Sequence, residues 1–158
     1  MRIGAAGKRS SAETNAVVRE RRPTALYSAA SLVALVGLAD AIYLTAKHIS
    51  GASVPCTIVA GCEEVLTSSY ATIGGIPLAL IGAAAYFAVF SLAMLAAFGY
   101  KLAGTLLVPI VGLMFVTTIW LLYLQAFVIR HFCQFCLLSA AVTLLLSLLV
   151  VFILRSKS

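Results

Sequence analysis

Four long apolar runs dominate the pattern of hydrophobic and polar positions along the chain, and short polar segments separate them. At about 1.5 Å per residue, each run is long enough as a helix to cross the roughly 30 Å hydrocarbon core of a bilayer. Strands are excluded, because four strands do not close a barrel and an open sheet edge cannot be satisfied in lipid. The pattern therefore predicts an all-α membrane protein, a bundle of four transmembrane helices over approximately residues 25–46, 76–98, 102–129 and 132–154.

The composition agrees with this prediction, since 63% of the residues are hydrophobic and only 10% are charged. The net charge of +6 does not indicate nucleic-acid binding, because the basic residues gather beside the apolar runs as they do on the cytoplasmic side of membrane proteins. Six lie before the first run and three more fall on the same side, against Lys47 and Arg130 on the other. Both termini are therefore predicted to be cytoplasmic, with the first and third connections extracytoplasmic.

Residues 1–24 are basic and carry no helical stripe of apolar residues, so we interpret them as a disordered cytoplasmic tail lying against an anionic leaflet. Residues 25–154 form the predicted membrane domain, and residues 155–158 its cytoplasmic end. In the first connection, residues 63–70 predict a short interfacial helix. The first apolar run is too long for the core of a signal peptide.

The four cysteines form two close pairs, and both pairs lie in connections predicted to face the extracytoplasmic compartment, where disulfides persist. Cys56 and Cys62 lie in the first connection. Cys133 and Cys136 open the fourth run, where the helix dipole and the cationic Arg130 favour a thiolate, the nucleophile of disulfide exchange. Cys136 is expected about one turn deeper than Cys133, so the pair leads from water toward lipid, and a lipid-soluble acceptor of two electrons there implies a quinone.

Two further residues are candidates for the same site. Asp40 is the only carboxylate within a span, which costs about 2.5 to 3.5 kcal/mol on the insertion scale. It either forms a polar cluster with Tyr43 and Lys47 on one helix face or exchanges a proton with a bound substrate. His131 either lowers the pKa of Cys133 or contacts the quinone, or it is a solvated boundary residue.

These elements resemble the vitamin K epoxide reductase family in its bacterial branch. The resemblance rests on CTIVAGC in the first outer connection, on Ser68 six residues after Cys62, on CQFC opening the last span and on GLADAIYLT in the first span. It covers residues 25–154. It implies a four-helix bundle around a quinone, ubiquinone or menaquinone, with Cys133 and Cys136 as the active-site pair and Cys56 and Cys62 as the shuttle pair.

The resemblance also implies residue roles. Cys62 exchanges with Cys133, Cys136 faces the quinone, and Ser68 helps to position the shuttle loop unless it is an ordinary capping hydroxyl. The candidate quinone-binding residues are thus Cys136, Ser68, Asp40 and His131, and no metal is expected. Vertebrate members carry a tyrosine four residues after the second active-site cysteine, whereas this chain has Ala140, which weakens any expectation of vitamin K epoxide reduction.

Bacterial members of the family oxidise a thioredoxin-like (DsbA-like) partner that puts disulfides into secreted proteins. The resemblance therefore implies an integral membrane thiol oxidoreductase of the bacterial cytoplasmic membrane, with its cysteines facing outward, that supports disulfide bond formation. Many members are fused to their partner domain. This chain ends at Ser158 without one, so a separate partner is expected, together with membrane lipid and quinone but no nucleic acid.

Other functions compete with this interpretation. A DsbB-type quinone-linked oxidase has its CxxC pair in the first outer connection, whereas here it lies in the last. The cysteines with His48 or His131 are an alternative structural zinc site, although the first connection lacks a CxxC motif. Attachment of a c-type haem requires a histidine where Leu137 stands. A membrane scaffold or transporter with incidental cysteines is the third class, but no paired intramembrane charges or repeats are visible.

Overall fold

The computed structural model describes residues 4–56 and 61–157, with side chains described from residue 24 to 56 and from 61 to 156. Helices account for most of the described chain. In chain order the elements are helix α1 (Gly4–Ser50), helix α2 (Cys62–Leu66), strands β1 (Thr72–Ile73) and β2 (Ile76–Pro77), helix α3 (Leu78–Ala97), helix α4 (Lys101–Tyr123), a π-helical segment (Leu124–Ile129) and helix α5 (Gln134–Lys157).

Four of these helices are long and apolar enough to cross a membrane, so the prediction of four spans is confirmed. Each carries at most two acidic or basic residues in its most apolar stretch. Their bounds differ by a few residues from those predicted, because polar residues at the ends of a span still take part in helical hydrogen bonding. The candidate spans are Thr24–Ser50, Leu78–Ala97, Lys101–Ile129 and Gln134–Ser156.

Helix α1 begins at Gly4 and so extends through most of the segment for which the sequence predicted disorder. Alanine, arginine and glutamate are good helix formers, and the apolar helix that follows removes the cost of nucleation for the preceding turns. The candidate span within α1 begins only at Thr24, where the basic sequence ends. The division into tail and membrane domain and the cytoplasmic side of the termini stay predictions.

The four long helices form a ring in which α1 packs against α3 and α5, and α4 packs against the same two helices from the opposite side. Small residues allow α1 and α3 to approach closely: Ala30, Ala34 and Ala93 are fully buried. At Gly37 of α1, a Cβ atom would overlap the ring of Tyr86 on α3. Glycine is therefore required where the tyrosine ring crosses the α1 backbone.

Tyr86 joins α3 to α5 by hydrogen bonds in the middle of the bundle. Its hydroxyl donates to the carbonyl oxygen of Ser139 at 3.0 Å and also lies 2.8 Å from Ser139 Oγ and 2.9 Å from Thr143 Oγ1. Tyr86 and Thr143 are each 2% exposed. Because Tyr86 and Thr143 are buried between the helices, this network stabilises the register of α3 and α5.

The segment between α1 and α3 folds over one end of the bundle. Its helix α2 is only five residues long, with Thr67 as its C-cap. It is therefore shorter than the predicted helix over residues 63–70. The backbone then turns through Gly74 and Gly75, which have φ of 60° and 86°, and β1 pairs with β2 in antiparallel register. Two consecutive residues of positive φ favour glycine in a two-residue hairpin turn. The position of α2 relative to the membrane interface stays a prediction.

Candidate active site at the cysteine pairs

All four cysteines lie in one apolar cluster at the end of the bundle that the α1–α3 segment covers. Cys62 and Cys133 belong to its buried centre, at 1% and 0% exposure. Cys56 and Cys136 are partly buried and pack against that centre. Residues far apart in the sequence complete the cluster, and they include Leu44, Val54, Val65, Ile129 and Phe135. The fold therefore brings the two pairs together.

Cys56 and Cys62 are joined by a disulfide, with their Cα atoms 6.2 Å apart. That separation lies within the usual range for a disulfide. Residues 57–60, inside the loop that it closes, lie outside the described residues. Cys62 is also the first residue of α2, so this short helix and the disulfide share one anchor point.

Cys133 lies just before α5 and caps its amino terminus, whereas the sequence placed it on the first turn. Its carbonyl oxygen accepts the first helical hydrogen bond, from the Leu137 N–H at 3.0 Å. The pKa of the Cys133 thiol is lowered to about 7. The largest cause is a hydrogen bond from the Cys136 side chain, and the backbone N–H groups of Cys136 and Phe135 add to it. Burial of the thiol opposes this shift. The donors at the helix start thus provide the stabilisation that the sequence attributed in part to Arg130.

Cys133 and Cys136 are both free thiols, while Cys56 and Cys62 are oxidised. Cys136 lies in the first turn of α5 and is half-buried. The four cysteines of the structure thus comprise one disulfide and one pair of free thiols.

Gly61 packs closely against the residues that precede Cys133. A Cβ atom at Gly61 would lie 2.9 Å from the carbonyl oxygen of Phe132 and 3.0 Å from the Cβ atom of His131. The φ angle of Gly61 is 154°, a conformation that L side chains rarely adopt. Glycine is therefore needed at this position for two reasons, close approach and backbone conformation.

Gln125 hydrogen-bonds Cys133, and sequence reasoning missed it. Its side chain is 3% exposed and lies in the π-helical segment, and its Oε1 accepts the backbone N–H of Cys133 at 3.3 Å. Its side chain also lines the same cavity as Cys136. The available signal was an uncharged polar residue within an otherwise apolar run, which attracts less notice than an ionisable one.

Cys136 opens onto a cavity of about 150 Å³ between the four long helices. Most of its wall is apolar, which suits a hydrophobic ligand ring. A few polar residues line it as well, and besides Cys136 these are Asp40, His48, Ser68, Tyr70, Tyr86, Thr118, Gln125 and Ser139. Of the four candidate quinone-binding residues, Cys136, Ser68 and Asp40 line this cavity. His131 does not; its side chain is exposed next to Gly61.

Asp40 is 8% exposed, and neither of its carboxylate oxygens has a hydrogen-bond partner in the described part of the chain. It faces the cavity rather than the polar cluster that the sequence offered as one explanation. Tyr43 instead packs on the ring of Phe135, with centroids 5.3 Å apart, and Lys47 Nζ lies 5.8 Å from the Tyr43 ring centroid. Asp40 is thus a buried polar group whose side chain is left available to a ligand.

Among the described residues, no three histidine, cysteine, aspartate or glutamate side chains are grouped so that they could hold a metal ion. The structural zinc site weighed from the sequence therefore gains no support from the fold.

Comparison with known families adds independent evidence. The model of the vitamin K epoxide reductase family matches residues 29–151, which is most of the chain and includes all four cysteines. The chain therefore belongs to this family, as the resemblance of its motifs predicted, and family membership makes it a membrane thiol oxidoreductase. None of the curated proteins compared with the chain matches it.

Proposed function

We propose that this member of the vitamin K epoxide reductase family oxidises a thioredoxin-like protein and passes the electrons through its two cysteine pairs to a membrane quinone. The observation that carries the proposal is the joint placement of all four cysteines, with Cys136 alone among them lining the apolar cavity. A path of sulfur atoms thus leads from the half-buried Cys56 at one end to the cavity at the other.

The relay balances as two disulfide exchanges. A thiolate of the reduced partner attacks the Cys56–Cys62 disulfide, and resolution leaves the partner oxidised and both shuttle cysteines reduced. The Cys62 thiolate then attacks Cys133 of a Cys133–Cys136 disulfide, so that bond breaks and the electron pair stays on the sulfur of Cys136. Attack by Cys56 on the mixed disulfide restores the shuttle disulfide and leaves the active-site dithiol, which is the state described above.

The residues around the cavity suit a quinone ring. Its wall is apolar, Cys136 reaches it, and the two unpaired oxygens of Asp40 lie in its lining. A quinone bound there supplies the sink for two electrons and two protons. Cys136 would donate the electrons, and Asp40 would hold and transfer a proton at its carboxylate, because a buried carboxyl group without other partners is free to exchange one.

The same proposal specifies the direction of electron flow and the compartment in which the partner thiols react. Partner thiols reach Cys56 from the extracytoplasmic side, as the distribution of basic residues predicts, and the oxidised partner then introduces disulfides into secreted proteins. Ser68 lies on the cavity lining just after α2, and its hydroxyl donates to the Val65 carbonyl at 2.7 Å. It therefore stabilises the end of α2 beside the cavity, which supports a positioning role for the shuttle loop.

The test is anaerobic electron transfer in detergent. Purified protein is mixed with a reduced thioredoxin-like dithiol and a soluble quinone, and quinone absorbance is followed for the wild type and for Cys56→Ala, Cys62→Ala, Cys133→Ala and Cys136→Ala. All four variants should stop dithiol-driven turnover, whereas loss of Cys56 or Cys62 should spare reduction by dithiothreitol. A wild type that leaves the quinone untouched, or dispensable Cys133 and Cys136, would contradict the proposal.

A further inference from the structure

Among the described residues, Gln125 is the one buried amide side chain that both hydrogen-bonds Cys133 and lines the cavity beside Cys136. It lies where α4 widens into the π-helical segment Leu124–Ile129. Such insertions are rare and occur frequently at functional sites, because the wider turn changes the direction in which a side chain points. Here the π-helical segment carries the side chain that binds the backbone of Cys133 and lines the cavity beside Cys136.

The two ends of the Gln125 amide have different tasks. Its Oε1 accepts the N–H of Cys133, a backbone group that the start of α5 leaves without a helical partner. With the oxygen occupied in this way, the amide N–H groups are left to donate toward the cavity that Cys136 also lines. One residue therefore holds the backbone of the first cysteine and offers donors to the cavity beside the second.

A thiolate at Cys136 needs such a donor. The cavity wall is mostly apolar, and the Asp40 carboxylate in the same lining disfavours a second negative charge. Apart from His48, none of the described residues that line the cavity is an arginine, a lysine or a histidine. An amide also remains a neutral donor at any pH, so it stabilises the thiolate without adding a charge to be buried.

We propose that Gln125 is a further active-site residue, which positions Cys133 through its oxygen and stabilises the Cys136 thiolate through its amide N–H. The inference rests on the relay proposed above. When Cys62 attacks Cys133, the Cys133–Cys136 bond breaks and its electron pair goes to the Cys136 sulfur. A stabilised thiolate is a better leaving group, so Gln125 acts on the step that moves electrons from the shuttle pair to the active-site pair.

The test measures Cys136 directly and needs no quinone. In a Cys133→Ser background with the shuttle disulfide intact, Cys136 is the only free thiol of the chain, and its alkylation by iodoacetamide is timed at one mildly alkaline pH. Gln125→Met removes both the donor and the acceptor at similar side-chain size. Gln125→Glu keeps an oxygen for the Cys133 N–H but loses the amide donor. Thr117→Val, on the exposed side of α4, is the matched control.

Both Gln125 variants should slow alkylation about tenfold or more, as expected for the loss of a hydrogen bond to a charged group, while Thr117→Val should stay within about twofold of the parent. Folding is checked by gel filtration and by the intact Cys56–Cys62 disulfide. If only Gln125→Met is slow, the residue merely holds the backbone; if neither is slow, the inference is wrong.

The same variants then separate the two proposals. A slow Cys136 in the Gln125 variants together with a wild type that never reduces quinone would retain the role of Gln125 and refute the quinone relay. Normal alkylation together with normal quinone reduction would refute the role of Gln125 alone.

Discussion

Gly61 and Phe132 are in backbone contact: a Cβ atom added at Gly61 would lie 2.9 Å from the Phe132 carbonyl oxygen. Gly61 directly precedes Cys62, and Phe132 directly precedes Cys133. The relative position of Cys62 and Cys133 is therefore set by main-chain packing, which is more rigid than contact between long side chains.

Substitution Gly61→Ala should separate the two cysteine pairs. The new methyl group has no room against the Phe132 carbonyl, and φ of 154° disfavours alanine, so the shuttle loop must shift. We expect dithiol-driven quinone reduction to fall by about tenfold or more, because small misplacements of reacting groups are costly, while dithiothreitol-driven reduction is retained. Stopped-flow measurement of quinone absorbance with each reductant gives both rates.

Gly74→Ala is the matched control, since Gly74 also has positive φ, at 60°, but a Cβ atom there meets nothing within 4 Å. Gly74→Ala places alanine at a positive φ angle, as Gly61→Ala does, but its methyl group contacts no other residue. Equal losses in the two variants would mean that backbone strain, rather than the approach of Gly61 to Phe132, causes the effect.

The Cys133 thiol should titrate near pH 7 in the reduced protein. Its pKa is lowered from the ordinary value of 9.0, chiefly by the hydrogen bond from Cys136, so the folded state binds fewer protons than the unfolded state between those pH values. The stability of the reduced protein should therefore increase as the pH rises from about 7 to 9, and this contribution is lost as the pH falls through 7. The ultraviolet absorbance of thiolate, compared between wild type and Cys133→Ala, measures the titration without requiring access to the buried sulfur.

Cys136→Ala removes the largest contribution to that shift, whereas Cys136→Ser keeps a hydroxyl donor in the same place. The midpoint should move upward in the alanine variant and less in the serine variant. Identical midpoints in all three proteins would show that the helix start alone sets the pKa.

Asp40→Asn should stabilise the ligand-free protein and impair turnover. The carboxylate is buried, and neither oxygen has a partner among the described residues, so its replacement by a neutral amide should increase the free energy of unfolding by about 1 to 3 kcal/mol. Quinone reduction should fall by about 100-fold if Asp40 transfers a proton, as for other general acids. Thermal unfolding in detergent and the quinone assay measure the two effects.

Glu64→Gln serves as the control for removal of a carboxylate, because Glu64 is exposed on α2 and does not line the cavity. Glu64→Gln should change neither the free energy of unfolding nor the rate of quinone reduction appreciably. An Asp40→Asn protein that is more stable and fully active would leave Asp40 outside the chemistry.

Gly37→Ala should destabilise the bundle, whereas Gly112→Ala should not. A Cβ atom at Gly37 overlaps the Tyr86 ring, and moving that ring disturbs its bonds to Ser139 and Thr143, so we expect a loss of about 1 to 3 kcal/mol. At Gly112 of α4 a Cβ atom meets nothing within 4 Å, and alanine should be neutral or stabilise the helix by up to about 1 kcal/mol. Thermal unfolding of both variants in the same detergent measures this difference. Equal losses of stability in the two variants would contradict the packing argument.

The sequence predicted the spans and the meeting of the cysteine pairs because both follow from coarse properties. Hydropathy over some twenty residues reports lipid exposure directly, and connection lengths place both pairs at one end of a four-helix bundle. The match of CTIVAGC and CQFC to a family added the roles of the individual cysteines.

The sequence did not predict the features that depend on how helices face one another. Periodicity is weak in a run that is apolar on every side, so nothing decided between the two alternatives for Asp40 or indicated that Tyr86 crosses Gly37. The π-helical turn that directs Gln125 has no sequence signature of its own. The sequence placed Cys133 inside the helix because the apolar pattern begins before it. In the structure Arg130 has a left-handed conformation, with φ of 57°, and ends the preceding helix, and α5 begins only at Gln134.

Burial of Cys133 bears on the chemical durability of the protein. A thiolate that forms near neutral pH is ordinarily the cysteine most readily converted by peroxide to sulfinic acid, a change that most cells cannot reverse. Cys133 has a lowered pKa, yet its side chain is 0% exposed beneath Cys62 and Val65. The fold thus shields the Cys133 thiol from small oxidants, so damage of that kind should be slow while the protein stays folded.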